Sequence, residues 1–147
     1  QRRHVLGILD DLSEDDLRRP VLPSGWTSLG MVRHLALDVE RFWFRAVVAG
    51  EQVELPSGDE AWQVAAGEPA AAVLAQYREE AALADAIITA RPLDSRAAWW
   101  PSEIFPGMPE QQLRQTILHV IAETATHAGH LDAARELIDG RTWLVLT

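Results

Sequence analysis

Residues 119–132 read HVIAETATHAGHLD, and they set four potential metal ligands along one stripe of a helix. His119, Glu123 and His127 follow one another at i, i+4 and i+8, and His130 comes three further on. With about 3.6 residues per turn, spacings of three and four stack side chains over one another. The spacing therefore predicts a long amphipathic helix in which Glu123 and His127 can grip one cation. Two ligands leave a divalent ion short of protein donors, so a second helix is expected to supply more. His34, in GMVRHLALDVERFWF, is the donor expected there, since His4 near the chain start is the only other histidine. The same spacing also suits polar residues on the flank of an amphipathic helix. In isolation His34 better suits a surface or hydrogen-bonded histidine, in line with Asp38 and Arg45 on a more polar side of its helix, and only the combination makes it a ligand.

Working outward, the pattern is helices and loops, without a clear alternating strand run. From His4 to about Asp11 the chain reads as the end of a first helix. Ser13 followed by Asp16 predicts an N-cap for the short stretch EDDLRR. Pro20, Pro23 and Gly25 then break the chain. A second helix is expected from Thr27 or Ser28 to about Ala49, with Leu29, Val32, Ala36, Val39, Trp43 and Ala46 at helical spacing. Leu37, Phe44 and Val48 add a second apolar stripe, so this helix is expected to be largely buried. A third runs from Pro69 to about Arg91. The segment from Pro92 to Pro109 carries four prolines and the pair Trp99–Trp100 and reads as a long crossover loop. The last helix is expected from about Pro109 to Ile138, stopped by Gly140. Its predicted buried face is Leu113, Ile117, Val120, Ile121, Ala128, Leu131 and Ile138, with Glu123 and His127 at the flank. His119 and His130 lie further toward the polar side. The reading is all-α, a four-helix bundle with a long crossover loop, in one domain over 1–147.

Composition narrows the function. The 147 residues carry 22 acidic against 13 basic side chains, a net charge of −9, with the basic ones scattered. Phosphate binding wants a basic face, so a nucleic-acid partner is not expected. No segment approaches the roughly 18 consecutive apolar residues of a membrane span. With no cysteine, zinc-thiolate sites and a protein-borne thiol nucleophile are excluded, so sulfur chemistry needs a thiol from outside. The chain opens QRRH rather than with Met, so a few native residues are expected before it, and no leader peptide is read. A cytoplasmic location is the default.

The segments SGWTSLGMVRHLALDVERFWF and HVIAETATHAGHLDAARELIDG resemble the DinB-like superfamily of four-helix bundles, and in particular members linked to mycothiol-dependent enzymes. The resemblance implies a divalent metal held by a histidine of the second helix and two residues four apart on the last. Carried over, these are His34, Glu123 and His127. Many members have histidine where this chain has Glu123, whereas the maleylpyruvate isomerase branch has glutamate, and this chain is similar to that second set. The resemblance further implies that the metal activates the thiol of a low-molecular-weight cofactor such as mycothiol, for transfer or isomerisation. Zinc stands first among the metals, with nickel, iron and manganese suited to the same donors. His130, the remaining histidine near the centre, is the expected general base, with a fourth ligand or a proton shuttle as alternatives. His119 is peripheral. Trp26 and Arg33 are expected to bind a small-molecule substrate, and Arg41, Trp99 and Trp100 could line the same pocket. For all five, packing or surface ion pairs is the competing reading. A metal- or ligand-binding bundle without turnover is the alternative function, and a homodimer is an open expectation.

Overall fold

The structure, a computed structural model, describes residues 1–143. The single domain expected over 1–147 thus runs four residues past them. α1 (Arg2–Gly7) is followed by a turn that closes on Asp11 in the left-handed region, φ 65°. The helix stops earlier than the expected Asp11 because the Ile8 and Asp10 carbonyls accept from the buried Arg135 side chain, at 2.6 and 2.7 Å. α2 (Glu14–Arg18) carries the predicted cap, the Ser13 hydroxyl accepting from the Asp16 amide at 3.1 Å.

α3 (Ser28–His34) is capped by Thr27, whose hydroxyl accepts from the Gly30 amide at 3.0 Å. At Leu35 the winding widens into a π-helical segment that continues to Val48. Its last turn is closed by the Ala49 amide donating to the Phe44 carbonyl five residues back. The expected second helix is thus present, but two-thirds of it is wound differently. A π turn is wider than an α turn by close to one residue, which changes which side chains share a face. The segment is buried on nearly all sides, Leu35, Val39, Phe44 and Val47 included.

α4 (Ala70–Thr89) packs along α3 and the π segment. Pro69 caps it rather than opening its first turn, with ψ 139°. α5 (Leu113–Asp139) starts four residues after the expected Pro109. Gln112 and Gln115 cap it reciprocally. The Leu113 and Arg114 amides, which no helix turn can satisfy, donate to the Ser95 and Leu93 carbonyls of the crossover loop. An isolated bridge between Arg96 and Gln112 pins the loop end there. Gly140, at φ 76°, ends the helix as predicted.

The buried face of α5 is rotated from the expected one. Thr116 and Thr124 are buried, while Ile121 stands 48% exposed and Ile117 and Ile138 are half-buried. The threonine hydroxyls bond back to the carbonyls of Gln112 and Val120, so the two side chains pack as small apolar groups. α5 closes the bundle against α1, α3 and the π segment. The described residues contain no strand and no helix long and apolar enough to cross a membrane.

Candidate functional site

The site lies where α3 gives way to the π segment. His34 is the last α-wound residue, and the turn that follows brings Asp38 beside it. The His34 Nδ1 lies 2.8 Å from an Asp38 carboxylate oxygen, so the neutral ring donates from Nδ1 and keeps its lone pair on Nε2. From α5 the His127 ring meets the His34 ring edge to face, centroids 5.0 Å apart at 83°. Both imidazoles are 14% exposed. Glu123, one turn back on α5, stands at the rim, 43% exposed, with an oxygen 3.9 Å from His127 Nε2. The other His127 nitrogen, Nδ1, is buried with no hydrogen-bond partner among the described residues.

Burial is the largest influence on His127, followed by the neighbouring His34 and opposed by the Glu123 carboxylate. Together they hold its pKa below the ordinary histidine value. His127 is therefore a neutral imidazole across a wider range of pH, the form that binds metals or accepts protons. Its unpartnered Nδ1 is a lone pair or a proton without a match, costly in a protein interior unless something else fills it.

His130 is exposed, with its ring 5.6 Å from that of His127 and 6.3 Å from that of Trp26. His34, Glu123, His127, His130 and Trp26 thus form one cluster. Trp62, on a 3₁₀ turn (Glu60–Trp62), completes it by stacking on His34, centroids 4.1 Å apart at 16°. Among the described residues no three His, Asp or Glu side chains are gathered tightly enough to hold a metal ion as they stand.

The other residues singled out from the sequence have different partners. The Arg33 guanidinium pairs with Glu68 at 2.5 Å, leaving a buried Nε without a partner among the described residues. Arg41 pairs with the buried Glu80 of α4. Trp99 and Trp100 belong to an aromatic group with Phe42, Trp43 and Phe105. His119 packs on Trp43, centroids 4.6 Å apart, and His4 pairs with Asp132. Sequence reasoning missed Trp62 altogether, because it sits in an irregular loop without periodicity. The His34–Asp38 spacing of four was visible, but nothing in it distinguished a supporting carboxylate from a surface one.

These features define a class: an all-α bundle with histidines of two helices facing each other beside a carboxylate. The family described as mycothiol-S-transferase matches residues 1–140. The chain belongs to that family, within the DinB-like superfamily, and is a transferase of mycothiol-related thiol chemistry. No curated protein and no solved structure matches it.

Proposed function

We propose that this chain transfers the thiol of mycothiol, or a similar low-molecular-weight thiol, to a small electrophile at the cluster of His34, Glu123 and His127. The observation that carries the reading is the meeting of His34, whose Nδ1 is tied to Asp38, with His127, whose buried Nδ1 has no hydrogen-bond partner among the described residues. A divalent metal fits this donor set. His34 offers Nε2 with its tautomer fixed by Asp38, and His127 offers a neutral ring whose Nε2 faces the Glu123 carboxylate. Glu123 is the expected third ligand. Its exposed carboxylate has room to be drawn in, which fits the looseness of the present arrangement. When bound, such a metal favours the thiolate over the thiol at neutral pH.

The chain's own groups supply the rest. His130, at the solvent side of His127, takes the thiol proton and passes it to water. The sulfur lone pair then forms the bond to the acceptor carbon, and the leaving group departs with its electrons. Trp26 offers an apolar wall next to His130. Arg33 is a substrate contact only if it exchanges Glu68 for a carboxylate of the substrate. With no cysteine of its own, the protein cannot compete with the external thiol for the electrophile. The same reading places the protein in the cytoplasm, where thiols stay reduced. A homodimer would cover Leu118 and Ile121, which stand exposed three residues apart on α5.

Metal stoichiometry tests the centre. Protein purified without a metal-affinity tag is expected to hold about one equivalent of zinc or a similar ion. His127→Ala should lose it while far-ultraviolet circular dichroism stays that of the wild type. Unchanged metal content in the variant would contradict the assignment.

A further inference from the structure

Trp62 enters the cluster from a loop, yet it makes the closest ring contact in it. Its indole lies nearly parallel to the His34 imidazole, 4.1 Å between centroids, and it also faces His127 at 6.0 Å and 73°. The hydrogen bond to Asp38 fixes which His34 nitrogen carries the proton, but a single bond leaves the ring free to swing about it. A flat partner on one face opposes that freedom, and His127 stands beside the ring, centroids 5.0 Å apart at 83°. The indole reaches this position because α3 has no side chain at Gly30. A Cβ there would overlap the Trp62 carbonyl oxygen and press on the Thr27 hydroxyl at 3.2 Å. Gly30 lies in the first turn of α3 without a positive φ to account for it, so the close approach of the Trp62 backbone is what the missing side chain serves.

We infer that Trp62 is a positioning residue: seated through Gly30, it holds the plane of the His34 ring so that Nε2 is presented in one direction. The inference rests on His34 being a ligand in the proposed centre. Groups that orient a metal-binding histidine commonly change affinity by about 10- to 100-fold when removed.

Three variants separate positioning from packing. Trp62→Leu keeps an apolar group but loses the stack, Trp62→Phe keeps a stacking ring, and Gly30→Ala keeps the indole but displaces its backbone. In metal-free protein titrated with Co(II), Trp62→Leu and Gly30→Ala are expected to bind about tenfold more weakly than wild type, with Trp62→Phe close to wild type. In the same metal-free proteins, ¹³C relaxation of the His34 ring should show an ordered ring in wild type and Trp62→Phe, and a mobile one in the other two. Wild-type Co(II) affinity in Trp62→Leu, or equal loss in Phe and Leu, would overturn the inference. If wild type takes up no Co(II), the metal centre itself fails. The relaxation data then decide alone, and an equally ordered His34 ring in Trp62→Leu would overturn the positioning role.

Discussion

At the scale of single residues, the buried imidazole of His127, on which the proposed chemistry rests, also carries a cost. Its imidazole is held neutral by burial and by His34, so the folded protein resists a proton that the unfolded chain accepts at the ordinary value of about 6.5. Between the lowered folded value and that ordinary value the unfolded state binds more protons. Stability is therefore lost as pH falls through this window and regained as it rises. In metal-free protein, His127→Gln should flatten the dependence of urea midpoint on pH below about 6.5. Parallel curves for variant and wild type would place the acid sensitivity elsewhere. The spacing of Glu123, His127 and His130 was legible in the sequence because a helix converts it directly into adjacency. Trp62 was not, since its place depends on a loop folding back over Gly30, and no local pattern records a contact between positions so far apart.

At the scale of elements, the π segment decides what faces what. His34 touches His127, and Trp43 touches His119, on the same side of α5. Nine residues of α winding would turn Trp43 about half a turn away from His34. The wider π turn brings both toward α5. The run LALDVERFWF conceals this, because its partly exposed charges Asp38 and Arg41 stand three apart, a spacing that suits ordinary α winding. The threonines of α5 hid its true face for a related reason, as Thr116 and Thr124 pair their hydroxyls internally and leave Ile121 outside. The π segment also holds Glu40, 1% exposed, paired through both oxygens with Arg2 of α1 at 2.6 and 2.7 Å. Burial nevertheless pushes the Glu40 carboxyl above the usual carboxylate range, outweighing Arg2. Removing the guanidinium strands a buried charge. Arg2→Ala is expected to destabilise the fold by about 3 kcal/mol, measured by urea unfolding. A loss well under 1 kcal/mol would mean that water reaches Glu40 freely.

At the scale of the whole molecule, the fold places the histidine-bearing helices α3 and α5, far apart in the sequence, side by side. Arg135 of α5 reinforces this by binding the carbonyls of Ile8 and Asp10 at the end of α1. Two features of the whole chain agree with handling an external thiol: the absence of cysteine and the family it belongs to. The helical class and the order of the helices could be read from periodicity, caps and Gly140, because these are local. The arrangement of the site depends on helix winding and loop closure, which are properties of the packed whole.

The rate at which metal-loaded protein joins mycothiol to a bimane electrophile tests the central claim most directly. Wild type should accelerate the reaction clearly over the free metal ion at equal concentration. His127→Ala should lose at least about a hundredfold of that rate, the upper figure for losing even a supporting residue of a metal site. Equal rates for wild type and variant, with both folded, would contradict the account.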